Sequence, residues 1–121
     1  MSESIPLLMF PDKLEAFVRA TLLATGLVEE DARITAEALT LADSMGVHTH
    51  GTKLLAGYLR KLQGGGYKSK GVPTVLRQGP GWAVVDGDSA LGQVGGTMAM
   101  GLAIGKAKSV GVAYAGLRNT G

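Results

Sequence analysis

The 121-residue sequence predicts an α/β fold: a helical segment over residues 1–70, then the start of a sheet domain over residues 71–121 that contains a βαβ unit. Three observations predict it. Apolar residues recur at helical spacing through the first 63 residues, and two short β-rich runs flank the turn Gly79-Pro80-Gly81. A long glycine-bearing helical stretch then separates the second run from an apolar run ending at Leu117.

The first helix is marked by Leu14, Phe17, Val18, Thr21 and Leu22, the i, i+3, i+4, i+7, i+8 spacing of one helical face. Pro11 and Asp12 suit its first turn and Gly26 the position past its end. A second helix begins near Glu29, Glu30 and Asp31, where the helix dipole favours acids, and stops near Gly46. Its apolar stripe is Ile34, Ala38, Leu41, Ala42 and Met45. A third, from about Thr52 to Gln63, is expected to bury Leu55, Leu59 and Leu62, with Leu54 and Tyr58 one step round, before Gly64-Gly65-Gly66 ends it.

Strands are expected at Thr74–Gln78 and Trp82–Asp86, joined as a hairpin. The segment from about Gln93 to Val110 is helical despite Gly95, Gly96, Gly101 and Gly105, each costing about 1 kcal/mol against alanine. Close packing of this helix on the sheet accounts for them, since glycine lets backbones approach. Gly111 ends the helix and Val112–Leu117 reads as a buried strand. Strand, helix, strand implies a parallel pair with a right-handed crossover. Two parallel strands do not finish a sheet, so the chain is expected to be part of a longer protein, with an unpaired edge and apolar surface that favour self-association.

Composition narrows the function classes. With no cysteine there is no disulfide framework, thiolate metal site or catalytic thiol. No run approaches the ~18 apolar residues of a membrane span, and no signal-peptide pattern opens the chain, so a cytoplasmic setting is expected. Residues 1–60 carry five Lys/Arg against eight Asp/Glu, a net −3; residues 61–121 carry seven against two, a net +5. A basic half suits an anionic substrate or cofactor, and solvated lysines explain it equally. Nucleic acid is not expected as a partner, because the helices carry no basic recognition face.

The glycine-rich stretches match neither nucleotide motif. Gly92-Gln93-Val94-Gly95-Gly96 lacks the Gly-x-Gly-x-x-Gly spacing, and Gly66 to Gly71 is followed by Val72-Pro73 rather than Gly-Lys-Ser/Thr. Both histidines lie in one short loop, Gly46-Val47-His48-Thr49-His50-Gly51. Asp43 is the only acid near it, too little for a zinc shell. An imidazole there can pass a proton to a developing alkoxide or take one from an alcohol. A histidine that caps a helix end or fills the turn fits the same spacing.

The segment Ala42-Asp43-Ser44-Met45-Gly46-Val47-His48-Thr49-His50-Gly51, with Tyr58-Leu59 and Arg60-Lys61-Leu62, resembles the N-terminal part of the malate/L-lactate dehydrogenase family. That family includes sulfolactate, ureidoglycolate and diketogulonate oxidoreductases. Val85-Asp86-Gly87-Asp88, Leu91-Gly92-Gln93, Ala103-Ile104-Gly105-Lys106-Ala107-Lys108 and Arg118-Asn119-Thr120-Gly121 extend the resemblance from about Leu14 to the last residue.

The resemblance implies NAD- or NADP-dependent interconversion of a small 2-hydroxy acid and its 2-oxo acid, on a fold that is not a Rossmann fold. It also implies a homodimer with the active site in a cleft between domains. The family's Ser-His-Gly motif matches Thr49-His50-Gly51, so His50 inherits the roles of substrate ligand and proton donor. Thr49 becomes a hydroxyl neighbour of the substrate, and Tyr58, two turns on, is expected to line the same cleft; His48 lies outside the motif and is read as structural. The cofactor-binding residues stay unknown.

Two departures stand out. Leu54 occupies the place of the family's carboxylate-clamping arginine, and the adjacent Lys53 points about a hundred degrees away round the helix. The family's His-Phe-Gly would follow Gly121, so the 121 residues alone are expected not to turn over substrate. A second reading is therefore a non-catalytic, truncated paralogue that binds an anionic metabolite or a partner chain.

Overall fold

The computed structural model describes residues 7–121. Its elements are α1 (Pro11–Leu23), α2 (Glu29–Ser44), α3 (Leu55–Gln63), β1 (Thr74–Gly79), β2 (Trp82–Asp86), α4 (Gly92–Val110) and β3 (Tyr114–Arg118). Two short 3₁₀ turns, His48–His50 and Thr52–Leu54, precede α3. The third helix thus starts at Leu55, and the Thr52 end expected from sequence is a tighter turn.

The three strands form one sheet in the order β1-β2-β3. β1 and β2 are antiparallel, with Thr74 opposite Asp86 and Gly79 opposite Trp82, and a bulge between Val75 and Arg77. β2 and β3 are parallel, with Trp82 opposite Tyr114 and Asp86 opposite Arg118. The expected βαβ unit is therefore present, with α4 as the crossover. β3 begins at Tyr114 rather than Val112, because α4 is first closed by Gly111, whose φ of +96° is open to glycine and strained for other residues.

One hydrophobic core joins α1, α2 and α3 to the segment that leads into α4. Val18 and Leu22 of α1 meet Ala32, Ala36 and Leu39 of α2, and Leu55 and Leu62 of α3. Tyr67, Ala90, Leu91 and Val94 complete the cluster from the other half. Leu39 is wholly buried, so Leu39→Ala is expected to cost about 2–5 kcal/mol in chemical denaturation, from lost transfer energy and the cavity left behind. An unchanged unfolding midpoint would contradict this placement of the core.

Three packing expectations are corrected. Phe17, placed on the buried face of α1, is 60% exposed, because the stripe is narrowed to Val18 and Leu22. α2 does not bury Ile34, Ala38, Leu41, Ala42 and Met45; its buried residues are Ala32, Thr35, Ala36, Leu39 and Thr40. α1 packs against this second stripe, where small residues let the helix axes approach, while Leu41 and Met45 stay exposed. Of the four glycines Gly95, Gly96, Gly101 and Gly105, only Gly95 is explained by close packing: a Cβ there would lie 3.0 Å from Leu117 Cδ1. Gly96, Gly101 and Gly105 face open space.

Candidate active site

The loop that carries both histidines is built by the end of α2. The Val47 amide donates to the Ala42 carbonyl at 2.9 Å, and the His50 amide donates to the Val47 carbonyl at 3.0 Å. Asp43, one residue before the last of α2, ties the loop down. Its Oδ2 accepts from the Thr52 amide at 3.1 Å and from the Thr52 hydroxyl at 2.5 Å, and its Oδ1 lies 3.3 Å from His48 Nδ1. Gly51 is pressed so closely on this carboxylate that a Cβ on it would overlap the carboxyl group. The glycine of Thr49-His50-Gly51 is thus required by the space that Asp43 occupies.

Burial pushes the Asp43 carboxyl up, but the hydrogen bonds from Thr52 and from His48 outweigh it and hold the group below its ordinary value. A carboxyl whose folded-state pKa is depressed stabilises fully above its unfolded pKa, and that contribution is lost as pH falls through the folded value. The loop is therefore expected to loosen in acid, below the ordinary carboxylate range. Asp43→Asn, which cannot ionise, should flatten this dependence in thermal unfolding followed against pH; an unaltered profile would exclude Asp43 as its source.

On this frame His50 is exposed, with its Nδ1 2.9 Å from the Thr49 hydroxyl. Thr49 and His50 are thus brought together. Tyr58 belongs to a second cluster: its hydroxyl oxygen accepts from Gln93 Nε2 at 3.0 Å, and its ring meets Tyr67 edge-on, with centroids 6.1 Å apart. Among the described residues no hydrogen bond joins the two clusters. Leu54 packs against the core, whereas Lys53 lines a separate groove with Asp43, Ser44 and His48, so neither takes the place of a clamping arginine beside Tyr58. His48, 74% exposed in its side chain, contributes its contact to Asp43.

Sequence reasoning missed two residues. In sequence Asp43 is an acid near the loop and part of the family segment; its grip on Thr52, nine positions on, exists only once the loop is folded. Gln93 lies 35 positions from Tyr58, and neither the family segment Leu91-Gly92-Gln93 nor the helix start it marks pairs it with a tyrosine.

An open groove of about 560 Å³ runs between α2 and α4 past Ile34, Ala38, Gln93, Met100 and Ile104, and includes neither histidine. A polar hollow of about 270 Å³ lies at the C-terminal ends of the parallel strands, lined by Tyr67, Ser89, Asn119, Thr120 and Gly121. In open α/β sheets this is the end where ligands bind. Its rim is fixed by Asp88, whose carboxylate takes Lys68 Nζ at 2.8 Å and the Val72 amide at 3.0 Å, and by Ser89, whose hydroxyl donates to Asn119 Oδ1 at 3.1 Å.

A family model described as malate/L-lactate dehydrogenase matches residues 9–121. Malate dehydrogenase of Pyrococcus horikoshii is 41% identical over 109 residues, which cover 90% of this chain and 30% of that protein. Ureidoglycolate dehydrogenase (NAD(+)) of Escherichia coli is 33% identical over 110 residues, covering 91% and 32%. The solved sulfolactate dehydrogenase of Methanocaldococcus jannaschii superposes with a TM-score of 0.91 at 38% identity, over 94% of this chain and 33% of that one. The chain thus spans about a third of the length of the curated relatives it matches. Because the family match spans residues 9–121, the histidine loop and the βαβ unit included, this chain belongs to the malate/L-lactate dehydrogenase family.

Proposed function

We propose that this chain supplies the substrate-facing, proton-transferring part of a 2-hydroxy acid dehydrogenase, and that His50 is its proton-transfer residue. The observation that carries the reading is an exposed imidazole on a loop fixed by Asp43, with the Thr49 hydroxyl at its Nδ1. With Nδ1 carrying the ring proton and donating to the Thr49 hydroxyl oxygen, Nε2 is the nitrogen left free to take or give a proton. Reduction of a 2-oxo acid at its carbonyl carbon leaves an alkoxide, which the protonated imidazole neutralises; in the reverse direction the neutral ring takes the hydroxyl proton. Malate, sulfolactate and ureidoglycolate, named in the relatives, share the 2-hydroxy acid group, and this supports the substrate class.

The hydride would be supplied or taken up by a nicotinamide cofactor, NAD or NADP. The described residues do not fit the dinucleotide itself: Gly92, which opens α4, packs against the Gly121 carbonyl rather than leaving a cradle for phosphates. No residue here is assigned to holding it. Thr49 and Tyr58 are read as hydroxyl partners of the substrate, in a chain whose Leu54 offers no charge. The exposed edge at Tyr114 and the apolar Met100 and Ile104 support a larger working unit, a homodimer.

The test follows nicotinamide absorbance while a polypeptide of the relatives' full length that carries this chain is offered pyruvate, oxaloacetate and sulfopyruvate with either cofactor. Turnover of at least one oxo acid is expected. Binding of these anions without turnover on any would replace the enzyme by the non-catalytic binder, the reading that Leu54 favours.

A further inference from the structure

We infer that Gln93 is a positioning residue for Tyr58, fixing the direction of its hydroxyl proton so that Tyr58 donates to a carboxylate oxygen of the bound 2-oxo acid. The inference rests on the substrate role proposed above for Tyr58. Gln93 Nε2 donates to the Tyr58 oxygen at 3.0 Å. A phenol has one proton to give; once its oxygen is occupied by an amide donor, that proton is free for a ligand acceptor.

The ring has little freedom of its own. It packs on the core cluster and stands at 74° to Tyr67, which is buried. Tyr67 in turn is held by Lys61, whose Nζ lies 3.1 Å from its hydroxyl and 4.9 Å from its ring centroid. With the ring fixed, the torsion of the Tyr58 hydroxyl is what remains to be set, and Gln93 sets it.

Two further observations support a site rather than a core plug. Gln93 Oε1 is buried without a hydrogen-bond partner among the described residues, whereas an amide that merely filled the core would have both ends satisfied. Leu54, one turn before Tyr58 and therefore on the same helical face, packs into the core and donates nothing. On that face Lys61 is engaged with Tyr67, and the Tyr58 hydroxyl is offered to an anionic oxygen.

The test uses the relatives'-length protein and measures affinity for oxamate, an unreactive 2-oxo acid mimic, together with KM and kcat for the oxo acid it reduces. Tyr58→Phe and Gln93→Leu should each weaken oxamate binding and raise KM about tenfold, the worth of one hydrogen bond to a charged group, with kcat changed less. The double variant should be no worse than either single one, because both remove the same bond. Gln93→Glu, nearly the same shape, should weaken oxamate at least as much as Gln93→Leu, since a carboxylate there takes the Tyr58 proton for itself. Affinity at the unsubstituted level in Gln93→Leu or Gln93→Glu, or effects that multiply in the double variant, would overturn the assignment. Failure of oxamate to bind the unsubstituted protein would instead remove the oxo-acid reading, and this inference with it.

Discussion

Replacing His50 by alanine, in a polypeptide of the relatives' full length, is expected to lower kcat by about 10²–10⁴-fold, the range associated with a positioned proton-transfer group. The unfolding midpoint should hardly move. His50 is exposed, and its recorded side-chain partner is the neighbouring Thr49, so its removal opens no cavity and strands no buried group. Steady-state kinetics beside thermal unfolding separates the two effects. Full turnover in His50→Ala would show that another group moves the proton and would leave His50 as a turn residue.

Gly51→Ala should come close to the same loss of turnover by a different route, and should also destabilise the fold. A Cβ on Gly51 would overlap the Asp43 carboxyl group, so either the carboxylate swings away or the loop shifts. In the first case the Thr52 amide and hydroxyl both lose their acceptor; each lost bond that leaves a buried group unpaired costs about 1–3 kcal/mol. In the second case His50, one residue earlier, moves with the backbone, and misplacement of about 1 Å is enough to cost a hundredfold in rate. The double variant Gly51→Ala with Asp43→Gly, which clears the space, separates steric conflict from loss of the carboxylate. If Gly51→Ala alone keeps both stability and turnover, the close approach is not what the site depends on.

The fold was legible where local chemistry decides structure. Pro11 and the acids Glu29 to Asp31 mark helix starts; Gly26, Gly46 and Gly111 mark ends, and all three adopt positive φ. Pro80-Gly81 gives the hairpin, and the order strand, helix, strand gives the parallel pair. The helical faces were less legible. α2 carries two apolar stripes, and periodicity alone favours the one with Ile34, Leu41 and Met45 because its side chains are larger. α1 packs instead on Ala32, Ala36 and Leu39, leaving Ile34 and Ala38 to line an open groove.

The candidate site divides the same way. The family resemblance and the βαβ unit could be read from residue order, because each is carried by residues adjacent in the chain or by a local pattern; the contact of the Thr49 hydroxyl with His50 Nδ1 came with the folded loop. Folding in three dimensions is what lets Asp43 pin the loop through Thr52, turns Leu54 to the core, and brings Gln93 to Tyr58 from 35 positions away. These contacts depend on the angles at which α2, α3 and α4 meet around one shared core, and no spacing along the chain records those angles.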